Sequence, residues 1–196
     1  RLYAQRRMMG MEHFHDNIFG YSDDTYFSII RDAVKRFPSG SHFVEVGALL
    51  GKSSSYIAVE IANSGKDIKY DIVDHWLGSS EHTDVKELQD INMFDTFTEN
   101  MKPVEKYYKA IKASSIDGAT LYEDESLEFV MIDGDHSQSA VENDITSWLP
   151  KIKSGGLLAG DDYGDAGVRA ACENLLANNS EGEFSYWTTK WFFNKG

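Results

Sequence analysis

Two apolar runs that stop at carboxylates, and one that stops at glycines, carry the chemistry legible in this chain. Phe129-Val-Met-Ile-Asp-Gly-Asp-His136 delivers Asp133, Asp135 and His136, and Gly155-Gly-Leu-Leu-Ala-Gly-Asp-Asp162 delivers Asp161 and Asp162. The third run, Phe43-Val-Glu-Val-Gly-Ala-Leu-Leu-Gly-Lys-Ser-Ser54, ends in a turn built on Gly47 and Gly51. In an open parallel sheet, strand carboxyl ends line the ligand crevice. Carboxylates that converge there repel unless a proton or a cation compensates them. Oxygen donors of this kind suit Mg²⁺ or another hard divalent ion better than zinc. Asp133 with Asp161 and Asp162 is therefore read as a metal set, against the alternative that each caps a helix. For Asp135 and Asp165 the cap is the preferred reading. His136 has the residue type of a general base near neutral pH, or of a hydrogen-bonded turn histidine.

The glycine turn adds a second chemistry. Gly47 and Gly51 let backbone approach a ligand without Cβ interference. A helix starting near Lys52 would point unpaired N–H groups and a positive dipole end at that ligand. Ser53 and Ser54 are placed to cap the helix or bond a carboxylate. The spacing fits neither the dinucleotide fingerprint nor a phosphate-binding P-loop, so a ligand-free tight turn is the competing reading. Asp74 ends a second apolar run about 25 residues later, where a carboxylate can accept two ribose hydroxyls. His75 and Trp76 follow it, and the Trp76 indole is available to stack on an adenine.

The elements that must position these groups follow from periodicity. Tyr26, Phe27, Ile30, Ala33, Val34 and Phe37 recur at helical spacing after N-cap candidates at 22–25, and Pro38-Ser-Gly40 ends the helix. Strands are predicted at 42–46, 67–73, 108–113, 127–132 and 157–159, with helices at about 52–63, after 136, and at 166–177. Residues 77–110 read as one or two helices capping the pocket, and 184–188 with 190–194 as a closing antiparallel pair. Strands alternating with helices imply a mostly parallel sheet with right-handed crossovers. Residues 1–40 are read as an N-terminal arm and helix, and 41–196 as the catalytic part of one globular domain.

Bulk properties narrow the partners. The 196 residues carry a formal net charge of −13, which argues against a nucleic-acid backbone as partner. No apolar stretch has membrane-spanning length. The single cysteine, Cys172, fits a reducing compartment, and no apolar region follows the basic start as in a signal peptide. A cytoplasmic protein is expected, with self-association left open.

Taken together, Val44-Glu-Val-Gly47, Gly51-Lys-Ser-Ser54, Val73-Asp-His-Trp-Leu-Gly78, Ile132-Asp-Gly-Asp-His-Ser137, Asp144, Trp148 and Gly160-Asp-Asp-Tyr163 resemble class I S-adenosylmethionine-dependent methyltransferases. The likeness is to the small-molecule O-methyltransferase branch, with macrolide-sugar O-methyltransferases and cephalosporin-hydroxylase-like proteins. The resemblance implies a Rossmann-like α/β fold, mostly parallel, with helices on both faces and an antiparallel C-terminal strand. It implies that Glu45, Gly47, Gly51, Ser53, Ser54, Asp74, Trp76 and Ser114 or Ser115 hold S-adenosylmethionine. It also implies that Asp133, Asp161 and Asp162 hold Mg²⁺ or another divalent cation, with His136 as base beside Asp133. The expected reaction is methyl transfer to a hydroxyl of a small molecule, a sugar or a catechol-like diol. The competing readings are a metal-independent methyltransferase and a non-catalytic nucleotide- or metabolite-binding protein. A dehydrogenase is disfavoured by the glycine spacing.

Overall fold

A computed structural model describes residues 10–79 and 82–196; the basic start of the expected arm lies outside the described residues. Seven strands form one sheet: β1 (His42–Val46), β2 (Lys69–Asp74), β3 (Lys109–Lys112), β4 (Leu127–Ile132), β5 (Ile152–Gly160), β6 (Gly182–Trp187) and β7 (Lys190–Lys195). Their spatial order is β3-β2-β1-β4-β5-β7-β6. The first five are mutually parallel, and β7 runs antiparallel to both β5 and β6. The expected mostly parallel sheet and its closing antiparallel pair are both present.

The helices are α1 (Asp24–Arg36), α2 (Lys52–Ser64), α3 (Met93–Met101), α4 (Ser115–Ala119), α5 (Gln138–Trp148) and α6 (Ala166–Leu175). Alternation along the strands splits the core into two layers, because successive strand residues face opposite sides. Phe43, Phe129, Met131 and Leu157 pack with α1 and α2, while Val44, Val130, Ile132 and Leu158 pack with α5 and α6. The predicted stripe of α1 is the face that is buried. Asp23 caps that helix by accepting the Tyr26 N–H at 2.9 Å. The short helix α4 was not anticipated. Ser114 caps it by accepting the Asp117 N–H, a local bond that leaves no apolar periodicity to read. Cys172 is fully buried in α6, and burial pushes its thiol up to about 12.

One ladder aligns the strand ends. Ala113 N–H donates to Asp74 O, Gly47 N–H to Val73 O, Asp133 N–H to Val46 O and Asp161 N–H to Ile132 O, all within 2.8–3.1 Å. Asp74, Gly47, Asp133 and Asp161 therefore stand in one row at the carboxyl edge. The chain reverses direction of winding between β1 and β4, the switch point at which open sheets bind ligands.

At the end of β5 the sheet leaves no room for a side chain. A Cβ on Gly160 would lie 2.3 Å from the Trp191 ring of β7. Gly160→Ala is expected to lower unfolding free energy by about 1–3 kcal/mol, as overpacked cores do. Urea melts at pH 7 check this; an unchanged midpoint would mean that β7 yields freely.

Candidate active site

A cavity of about 650 Å³ opens over the row of strand ends, a volume suited to a small-molecule site. Its floor holds Gly47, Asp74, Asp133 and Asp162, and its walls include Gly20–Ser22 from the N-terminal segment and Met93 from α3. The expected cap between β2 and β3 is thus represented by α3.

Gly47 has φ +87°, and a Cβ there would lie 2.0 Å from the Asp133 carbonyl oxygen. The turn can back onto the end of β4 only because position 47 has no side chain. Gly51 also has positive φ and starts α2, but it faces Met101 and Phe97 rather than the cavity. Asp74 clamps the turn: its Oδ2 accepts the N–H groups of Ala48 (2.8 Å) and Leu49 (3.1 Å), and its Oδ1 accepts that of Trp76 (2.7 Å).

The other expected cofactor contacts divide by where they face. Ser53, Ser114 and Ser115 line the cavity. Ser54 turns inward and donates to Glu45, which also accepts Tyr26 OH at 3.1 Å and Tyr70 OH at 2.6 Å. Glu45 is fully buried on the α1–α2 side of the sheet, and burial raises its pKa. It ties β1 to α1, α2 and β2 and is not part of the cavity wall. Trp76 is likewise placed away from the position expected for an adenine platform. Its indole N–H donates to Leu49 O at 3.0 Å, and its ring packs on Phe94 and Phe97 at 4.8 Å. The positive φ of Trp76 turns the side chain under the loop, so it braces the glycine turn from behind.

The acidic cluster also differs in membership. Asp133, His136 and Asp162 offer donor atoms that all lie within 4.8 Å of one another. Asp162 Oδ2 stands 3.0 Å from His136 Nε2. Asp161, expected in the metal set, is turned to the opposite side and pairs with the buried ammonium of Lys190 at 2.5 Å. Asp161 thus faces Lys190 of β7, while Asp162 faces His136 and the cavity. Sequence reasoning missed Lys190, which opens β7 and belongs to no motif in the sequence.

Electrostatics follow from this packing. Burial, then the neighbouring carboxylates Asp161 and Asp162, push the Asp133 carboxyl well above the usual range. The bond to His136 holds Asp162 below it. Two carboxylates and an imidazole at this separation fit a divalent cation, and the nitrogen donor favours Mn²⁺ or Fe²⁺ more than an all-oxygen set does. Lys52 is the only lysine or arginine in the cavity wall among the described residues. At the α5 side, Asp144 is buried, and burial raises its carboxyl to about 6.

Asp144 generates a pH prediction. Its folded value of about 6 lies above the ordinary 3.8, so between these values the folded chain holds a proton that the unfolded chain has lost. Stability must fall as pH rises through that window and level off above it, by about 3 kcal/mol at most. Asp144→Asn should remove this component and be more stable than wild type at pH 7 but not at pH 3.5. Denaturant melts at the two pH values measure it; equal pH dependence in both proteins would refute the assignment.

Comparison with known proteins agrees with this geometry. The O-methyltransferase from Bacillus cereus, solved in complex with SAH, has a TM-score of 0.65 and 15% identity, covering 99% of this chain and 88% of that one. The O-methyltransferase NovP has a TM-score of 0.68 and 14% identity, covering 86% of this chain and 78% of that one. These likenesses concern the fold. No curated protein matches the chain. Residues 44–163, from β1 through the acidic pair to Tyr163, match the family described as methyltransferase domain. That segment contains the glycine turn, the Asp74 clamp and the Asp133–His136–Asp162 cluster, and on it the chain belongs to the methyltransferase domain family.

Proposed function

We propose that the protein transfers the methyl group of S-adenosylmethionine to a hydroxyl oxygen of a small molecule, a sugar or a catechol-like diol. The observation that carries this reading is the meeting of two features in one cavity. The glycine turn of a methyltransferase lies on one side, and a compact Asp133–His136–Asp162 cluster lies across it. The structures similar to this chain include an O-methyltransferase in complex with SAH, which supports the cofactor.

In this reading Gly47, Ser53, Asp74 and the serines at 114 and 115 form the cofactor side. Asp133 and Asp162, with His136 Nε2 as third donor, would hold a divalent cation. Such an ion, when bound, supplies Lewis-acid activation of a hydroxyl and lowers its pKa. The protein's own share is orientation: fixing the acceptor oxygen in line with the methyl carbon and sulfur removes much of the entropic barrier. One nitrogen cannot ligate and take a proton together, so His136 as base belongs to a metal-independent alternative. The His136–Asp162 contact at 3.0 Å favours that second reading, since a carboxylate orients an imidazole for proton abstraction. No helix among the described residues is long and apolar enough to cross a membrane. A cytoplasmic enzyme acting on a dissolved acceptor, without nucleic acid, completes the proposal.

Calorimetric titration of S-adenosylhomocysteine into chelator-treated protein tests the cofactor, with micromolar binding expected and no binding removing the methyltransferase chemistry. Asp162→Ala should leave that affinity within about threefold but cost about tenfold or more in Mn²⁺ affinity. For methylation of a diol found by screening, loss of turnover with chelator favours the metal. Retained turnover that His136→Ala abolishes, by roughly 10²–10⁴-fold, favours the imidazole base.

A further inference from the structure

Lys190, the first residue of β7, is 1% exposed. Its ammonium donates to Asp161 Oδ1 at 2.5 Å, Thr189 Oγ1 at 2.8 Å and Asp23 Oδ2 at 3.2 Å. Burying an ammonium is costly even when it is paired, and its neighbours Trp191 and Phe193 already fill the core there. What the charge supplies is geometry. Asp161 Oδ1, fixed by the ammonium, also accepts the backbone N–H of Asp162 at 2.6 Å. Asp162 has φ +57°, a left-handed conformation that a non-glycine residue keeps only when its surroundings impose it. In that conformation its carboxylate meets His136 at 3.0 Å. The third contact, Asp23, is the cap of α1. It lies next to the Gly20–Ser22 segment that walls the cavity.

We propose that Lys190 is the positioning residue of the acidic centre. It withdraws Asp161 from the donors, presents Asp162 to Asp133 and His136, and fastens the N-terminal wall of the cavity to the same point. The inference rests on the reading of the Asp133–His136–Asp162 cluster as the functional centre. Lys190 hydrogen-bonds to none of the three and takes no part in the chemistry.

The test is Mn²⁺ titration of the full chain, followed by the paramagnetic resonance signal of the free ion, with S-adenosylhomocysteine affinity measured separately in metal-free protein. Lys190→Met is expected to weaken Mn²⁺ tenfold or more and leave S-adenosylhomocysteine within about twofold. Asp161→Asn keeps the oxygen that accepts the Asp162 N–H, so it should stay within about threefold of wild type for Mn²⁺. Asp161→Ala removes that oxygen and should lose tenfold or more. Wild-type Mn²⁺ affinity in Lys190→Met, or equal affinities in Asp161→Asn and Asp161→Ala, overturns the proposal. If Lys190→Met does not fold, the Asp161 pair decides alone. If the wild type takes up no Mn²⁺, the metal reading fails, and amide exchange in metal-free protein decides Lys190. The Asp162 N–H should then exchange at least tenfold faster in Lys190→Met than in wild type, with Ile72 in β2 unchanged; equal rates overturn it.

Discussion

Carboxylates crowded at the ends of β4 and β5 set the constraint around which this molecule is arranged. Asp133, Asp161 and Asp162 stand at neighbouring strand ends because the parallel ladder runs on past each strand by one hydrogen bond. Carboxylates this close repel one another when ionised. The molecule answers with three different compensations. Lys190 neutralises Asp161 from beneath, His136 hydrogen-bonds Asp162, and Asp133 is held with its carboxyl far above the ordinary range. The side of the cluster that faces the cavity is where a substrate or ion would complete the balance.

A second buried carboxylate supports the opposite face of β1. Glu45 accepts bonds from Ser54, Tyr26 and Tyr70, which come from α2, α1 and β2. Burial of such a group is costly unless its lone pairs are satisfied, and here the surrounding hydroxyls, that of Ser53 among them, satisfy them. The result is a rigid junction directly below the glycine turn. Asp74 then holds the turn from the β2 side, and Trp76 packs under it. Turn and acidic cluster therefore share one frame, and the close approach of Gly47 to the Asp133 carbonyl joins them.

Several residues that looked like ligand contacts in the sequence turn out to build this frame. Glu45, Ser54, Gly51 and Trp76 belong to the right segments, but side-chain direction decides their work. Glu45 alternates with Val44 and Val46 in β1, so it must face α1 and α2 when those valines face α5. Trp76 follows a strand end, where neither the two-residue nor the helical period fixes direction, and its positive φ sends it under the loop. Asp161 and Asp162 are indistinguishable as letters; only the antiparallel return of β7, which brings Lys190 to one of them, separates their roles.

The linear sequence by itself determined the alternation of strands and helices and the positions of the strand ends. Each of these follows from local hydrophobic period and from glycine or aspartate stops, which act within a few residues. It also placed Gly47, Asp74, Asp133, His136 and Asp162 at one sheet edge, because parallel strands bring all their carboxyl ends together. Tertiary structure alone decided which neighbour of each pair faces the cavity, and that a lysine some 30 residues after Asp161 provides its counter-charge. Those outcomes depend on contacts between distant segments and on the sign of a backbone angle at Trp76 and Asp162. No local pattern of residue types encodes either.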